Sequence, residues 1–368
     1  MKTRQILLNL ALLSATVIIF LIGLELFLRA AMPQSCYAFP KGLYEADNIT
    51  CYKLSTHASG EVNQPEYKVT YTTNSHGLRD SEYSYEKQPG TTRIVALGDS
   101  FQFGHGVEKE EIYTEVAEEI LKSQGKKIEI INMGVPGYGQ EQELHLLKTE
   151  GLKYRPDIII VSFHTADIFD NIQPNCTRHV RQGYLVDNQT ADERTLTFQL
   201  KLFLNQNLHS YCFAKNRYVN LQSRKYTGRT DGIYGTVMES LLENETPQMK
   251  KAWTRTAILL GQLSETAKFN NATLVLVSIP AQVQADPEIL GAIKRTYSLE
   301  PIDPSQPSKR LKETASTFGI EVIDLLPMLT EESKKRKLYY AIDGHLNSQG
   351  QHEAGILLAQ ELSKRGLV

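Results

Sequence analysis

The sequence predicts an α/β protein: a doubly wound parallel sheet with helices on both faces, preceded by one N-terminal transmembrane helix and interrupted by an inserted cap lobe. Three observations predict it. From residue 91 onward, short apolar runs alternate with amphipathic segments, the pattern of buried parallel strands joined by helices. From Ile6 to Ala31 the chain is almost wholly apolar. Between Asn171 and about Lys250 the alternation lapses into a polar stretch too long for a simple loop in a compact domain.

The N-terminal run justifies the membrane element. About 20 apolar residues cross a bilayer as a helix. Only Asn9, Glu25 and Arg29 are strongly polar within the run, and Glu25 and Arg29 are spaced to pair on one helix face near its end. Lys2 and Arg4 precede any acid, so the positive-inside rule keeps the N-terminus cytoplasmic and exports the rest. The rival reading is a cleaved signal peptide, which needs a shorter apolar core and a small-x-small site. The long run ending in Leu-Phe-Leu-Arg favours an uncleaved anchor. The expected organisation is a cytoplasmic end at 1–5, an anchor at 6–28, a stalk or irregular N-terminal lobe at 32–90, and one domain at 91–368 with an insertion at about 172–249.

The strands and helices follow in order. Arg93–Leu97 is a buried strand running into Gly98. Ile112, Val116 and Ile120 recur at helical spacing, so about Glu110–Gln124 is a helix that Gly125 stops. Lys127–Asn132 reads as a strand, Gln140–Tyr154 as a helix and Pro156–Phe163 as a strand. Within the insertion, Leu196–Leu204 reads as helical. A helix around Lys250–Phe269 then leads into the strand Thr273–Ile279. Ser308–Phe318 is a helix, Ile320–Leu325 a strand and Gln349–Arg365 the last helix, with Ser348 and Gln351 at capping-box spacing.

Composition narrows the function classes. Of 368 residues, 41% are hydrophobic and 22% charged, and a formal net charge of -2 gives no reason to expect nucleic acid as a partner. The nine histidines are scattered without a metal-ligand motif, and the four cysteines (Cys36, Cys51, Cys176, Cys212) form no CxxC pair, so no metal or other cofactor is expected. In an exported chain four cysteines permit two disulfides in three pairings. The most local pairing is Cys36–Cys51 with Cys176–Cys212.

Ligands of open parallel sheets bind at the carboxyl ends of the strands, and three polar motifs fall there. The first strand ends in Gly98-Asp99-Ser100, which exposes a serine beside backbone N–H groups that can stabilise an oxyanion. The second ends in Asn132-Met-Gly134-Val-Pro136-Gly137, a turn that lets the backbone approach a ligand closely. Asp343-Gly344-His345 precedes the last helix, and an acid beside a histidine fixes its tautomer and steadies its imidazolium form. In an extended loop, one intervening residue puts both side chains on one side.

On these three blocks, with the flank Phe101–Val107, the sequence resembles the SGNH/GDSL hydrolases from about Gly77 to the C-terminus. It is similar in particular to the membrane-anchored bacterial members. The resemblance implies a three-layer, flavodoxin-like domain. It implies Ser100 as nucleophile, His345 as general base and acid, and Asp343 as the group that orients His345. Backbone N–H groups of Ser100 and Gly137 would hold the oxyanion, with Asn132 and Gly134 shaping the turn and Asp99 structural. One block departs: Ala166 stands where the family has an oxyanion-donating Asn, and losing one such donor costs about a hundredfold in rate. His164, Thr165 and Asn171 are the polar residues at hand to replace it. The Asp-x-His spacing is shorter than in many relatives and looks like that of O-acetyltransferases related to alginate modification.

The expected activity is carboxylic ester hydrolysis, on an ester-bearing carbohydrate such as an acetylated envelope glycan, or on a lipid. An O-acetyltransferase with the same triad is the alternative, and it would need a multi-span partner to deliver the acyl donor. A non-catalytic binding protein is the third reading. Restoring Asn at Ala166 is expected to raise the rate if Ala166 weakens the oxyanion site.

Overall fold

The apolar N-terminal run is a single helix, α1 (Lys2–Ala31), in the computed structural model, which describes residues 2–173, 177–187, 195–223, 233–296 and 301–368. Its side chains are exposed along nearly its whole length, and the segment Thr3–Ala31 is long and apolar enough to cross a membrane. Residues 32–90, expected as a stalk or irregular lobe, carry two antiparallel hairpins: β1 (Tyr44–Asp47) with β2 (Cys51–Leu54), and β3 (Ser59–Asn63) with β4 (Lys68–Thr72). Strict alternation in β4, with Val69 and Tyr71 inward, places one face on a small aromatic core. That core includes Phe103, Val135 and Tyr138 from the main domain, so the lobe packs over the loops that carry the motifs.

The main domain follows the expected alternation: β5 (Thr92–Gly98), the short α2 (Ser100–Phe103), α3 (Tyr113–Ser123), β6 (Ile128–Gly134), α4 (Gln140–Thr149), β7 (Ile158–His164) and the short α5 (Asp167–Asp170). The insertion contributes a hairpin of β8 (Arg178–Arg181) and β9 (Tyr184–Asp187), then α6 (Leu196–Asn207), α7 (His209–Ser223) and α8 (Ile233–Ser240). The domain closes with α9 (Pro247–Phe269), β10 (Thr273–Ile279), α10 (Gln282–Ala285), α11 (Pro287–Thr296), α12 (Gln306–Ser316), β11 (Glu321–Asp324), α13 (Leu326–Ser333) and α14 (Ser348–Lys364).

The central sheet is parallel, in the order β6-β5-β7-β10-β11. Winding starts at β5, steps to β6 on one side, then returns past β5 to β7 and beyond. The reversal lies between β5 and β7, and such a switch point leaves a crevice at the strands' carboxyl ends. Alternate residues of β5 feed two cores. Ile94 and Ala96 pack with α3, α13 and α14; Val95 and Leu97 pack with α4, α9 and α12.

Two local expectations are corrected. Asn347, not Ser348, caps α14, its side chain accepting the Gly350 N–H at 2.9 Å. Gln351 instead reaches across to accept the buried Tyr113 N–H at 2.9 Å, satisfying an orphan donor at the start of α3. Cys36 is bonded to Cys212, which overturns the local pairing. The bond joins the segment just after α1 to the insertion, a contact that sequence distance hides. Cys51 is also disulfide-bonded, and Cys176 lies outside the described residues.

Candidate active site

The strand β5 delivers Ser100 to the crevice. Asp99 caps α2, its Oδ1 accepting the Phe101 N–H at 2.8 Å, so the chain turns sharply from strand into helix with Ser100 at the bend. Burial pushes the Asp99 carboxyl up to about 6, against the pull of the Phe101 N–H and the charge of His345. The bend needs room from its neighbour strand. A Cβ on Gly134 would run into the backbone of Gln102 and Phe103, so only glycine lets β6 end this close beneath α2. Asn132 Oδ1 accepts the Gly134 N–H at 2.9 Å and the Gln102 Nε2–H at 3.0 Å, bracing turn and helix together.

Ser100, His345 and Asp343 stand in one hydrogen-bonded row. Ser100 Oγ is 2.7 Å from His345 Nε2, and His345 Nδ1 is 2.5 Å from Asp343 Oδ1. The loop that presents the pair is not extended. Gly344 turns it with φ +84°, and the N–H groups of Gly344 and Tyr340 bond across it to the carbonyls of Tyr340 and His345. A left-handed residue at that point favours glycine, and the turn folds the Asp343 carboxylate back onto the ring two residues on.

Glu66, Tyr67 and His105 hold this loop. The Glu66 carboxylate accepts the backbone N–H groups of Ala341, Ile342 and Asp343 at 2.8–2.9 Å. His105 Nε2 lies 3.2 Å from Asp343 Oδ2 and 2.8 Å from the Tyr67 hydroxyl. An anionic Asp343 selects the His105 tautomer with its proton on Nε2. His105 lies within the flank Phe101–Val107, where Gly104 and Gly106 beside it are its signal. Glu66 and Tyr67 lie in a polar stretch with no motif, and nothing in the sequence marks them.

The electrostatics favour a polarised His345. Burial alone would lower its pKa, but the charge of Asp343, their hydrogen bond and the charge of Asp99 outweigh it, and the imidazole is held above its ordinary value. Burial would likewise raise Asp343, yet His345 and His105 hold its carboxyl well below the usual range. His105 is pulled down, first by burial and then by the charge of His345. His105, Asp343 and His345 have ligand atoms close enough together to hold a metal ion. Each Asp343 oxygen already faces an imidazole nitrogen at hydrogen-bond distance, so the row is accounted for without one.

Ser100 N–H and Gly137 N–H have no partner among the described residues. A side chain on Gly137 would meet the Arg178 guanidinium and the Tyr52 hydroxyl, so a cation from the insertion borders this turn. Ala166 packs against Val237, Met238 and neighbouring apolar residues. Of the three polar residues near it, Thr165 donates its hydroxyl to Gln284 Oε1 at 2.5 Å. Asn171 spends its amide on Gln140 and Thr256 while accepting the Gln140 N–H, so it anchors α4 rather than facing Ser100. His164 alone keeps an unspent donor: its Nδ1 accepts the Ala166 N–H at 3.2 Å, and its buried Nε2 has no partner. Burial and the charge of His345 bring its pKa down to about 3, so it is neutral. Its ring stacks on Phe101, which in turn leans on the His345 ring.

Comparison with solved structures finds similarity to a lipase/acylhydrolase from Enterococcus faecalis, 16% identical, covering 74% of this chain and 96% of that one with a TM-score of 0.41. An acetylxylan esterase from Geobacillus stearothermophilus, seen as a catalytic mutant, is 12% identical over 75% of this chain and 94% of its own, with a TM-score of 0.40. A psychrotrophic esterase from Pseudoalteromonas is 11% identical over 75% of this chain and 100% of its own, also at 0.40. No family model and no curated protein matches the chain.

Proposed function

We propose that the chain is a membrane-anchored serine esterase of the SGNH/GDSL kind, acting through an acyl-enzyme at Ser100. The observation that carries this reading is the row Ser100–His345–Asp343, with hydrogen bonds of 2.7 and 2.5 Å at the switch point of the sheet.

The steps follow from the geometry. Ser100 Oγ attacks the ester carbonyl as His345 Nε2 takes its proton. Asp343 accepts the Nδ1–H and stabilises the imidazolium that forms. The N–H groups of Ser100 and Gly137 receive the developing oxyanion, and the nearby Arg178 charge adds to the potential there. The tetrahedral intermediate expels the alcohol, which takes the proton from His345. Water then gives its proton to His345, attacks the acyl carbonyl and releases the acid with Ser100 restored. A sugar hydroxyl in place of water would give transfer instead of hydrolysis.

The anchor reading is supported by α1 and by the disulfide Cys36–Cys212, since such bonds persist in exported compartments. Lys2 and Arg4 favour a cytoplasmic N-terminus, and an acetylated glycan outside the membrane is the substrate class that fits. The test is release of p-nitrophenol from its acetate ester by the full chain, with Ser100→Ala as control. Turnover that needs Ser100, with Ser100 labelled by a fluorophosphonate, supports the reading. Absence of both overturns it. Adding an oligosaccharide acceptor separates the outcomes, because an acetylated sugar identifies a transferase.

A further inference from the structure

The geometry points to the α6–α7 elbow of the insertion as a membrane-docking surface that lies on the same bilayer as α1, among anionic headgroups. This inference rests on the anchor reading above and adds a second attachment to it.

The elbow is fastened to the anchor where the anchor leaves the membrane. The Glu25 carboxylate on α1 accepts the N–H groups of His209 and Ser210 at 3.0 and 2.8 Å and the Ser210 hydroxyl at 2.7 Å. Arg29 bonds Glu25 at 2.8 Å and donates to the Asn207 carbonyl. One turn on, the Gln34 N–H donates to His209 Nδ1 at 2.8 Å, and the bond Cys36–Cys212 locks the join. Leu26 and Phe27 between these contacts are still exposed, while Leu28 is buried against the body. About 20 residues of helix span the hydrocarbon. Counted from Ile6, they end near Glu25, so the elbow stands at headgroup height.

The elbow also has the surface chemistry of an interfacial helix pair. On α6, Leu196, Leu200 and Phe203 recur at spacings of four and three and are 84%, 55% and 55% exposed, while Leu202 on the opposite side is buried. On α7, Tyr218 and Leu221 form a second exposed stripe, 63% and 62% open. Residues 195–223 hold no acid but contain Lys201, Lys215 and Arg217, in a chain whose formal net charge is -2. Apolar stripes flanked by bases, without acids, suit the boundary between acyl chains and anionic headgroups. An apolar patch of this kind left open to water is otherwise a liability. Docking would fix the height of the site above the bilayer, because β8 of the same insertion brings Arg178 to the Gly137 turn.

The test uses the full chain in phosphatidylcholine/phosphatidylglycerol vesicles whose lipids carry bromine at chosen depths. The single natural Trp253 is buried in the domain core and serves as an unquenched background. Phe203→Trp replaces an exposed ring and should be quenched severalfold more by bromine near the headgroup than by bromine at the chain end. Phe20→Trp in α1 should be quenched most by the deepest bromine. If Trp at 20 is quenched and Trp at 203 is not, the anchor stands and the docking surface is overturned, and a protein partner or a second copy covers the stripe. If neither is quenched, the anchor reading fails and the docking surface with it.

Discussion

His105 Nε2 lies 3.2 Å from Asp343 Oδ2, on the carboxylate oxygen that His345 leaves open. Asp343 is thereby held at both oxygens, and the loop that carries it is held at three N–H groups by Glu66. In the proposed mechanism Asp343 is thus oriented by side chains that do not meet the reacting atoms.

His105 is accordingly a positioning residue. Misplacement of a catalytic group by about 1 Å costs about a hundredfold. His105→Ala should lower kcat for p-nitrophenyl acetate by about tenfold to a hundredfold while KM changes little. His105→Gln, whose amide can still donate to Asp343, should recover part of the loss. Equal activity in both variants and the parent would sink this role.

In the proposed mechanism Asp343 sets the pH profile. Its negative charge stabilises the protonated form of His345 and so raises that pKa. The base must be neutral to accept a proton, so kcat/KM should rise with pH through a midpoint above the ordinary value of about 6.5. Asp343→Asn removes the charge, destabilises the imidazolium and should move that midpoint to lower pH. The rate should fall by about ten-thousandfold from loss of the correct tautomer. A midpoint that moves upward contradicts the assignment.

Ala166 offers a different outcome from the one its sequence position suggests. Its methyl packs against the Val237–Met238 cluster, so an Asn amide there enters partly apolar surroundings. We expect Ala166→Asn to give no gain in kcat and a loss of about 1 kcal/mol in stability by urea unfolding. A tenfold gain in kcat would mean that the amide turns toward Ser100 and supplies the absent donor.

Gly134 carries the close approach of β6 to α2. Gly134→Ala forces a methyl into the Gln102–Phe103 backbone, and overpacking of this kind costs about 1–3 kcal/mol. Urea unfolding should show that loss, and fluorophosphonate labelling of Ser100 should slow because α2 must move. An unchanged urea midpoint would show that the strand end shifts freely.

The sequence by itself determined the layered α/β architecture, because apolar runs at Arg93–Leu97, Pro156–Phe163 and Thr273–Ile279 have nowhere to go but a sheet buried on both faces. It determined α1, a helix long and apolar enough to cross a membrane, by the same logic of apolar length. It singled out Ser100, Gly137, Asp343 and His345, since strand-end motifs fall on one edge once strands alternate with helices. Only the tertiary structure decided which neighbours hold them. Glu66, Tyr67 and His105 join the row through packing of the N-terminal lobe on the loop after α2. Ala166 turns to the insertion, and Cys36 finds Cys212 across 176 residues. Long-range contacts of single polar side chains leave no period and no spacing in a sequence, because what selects them is the shape of two surfaces brought together by folding.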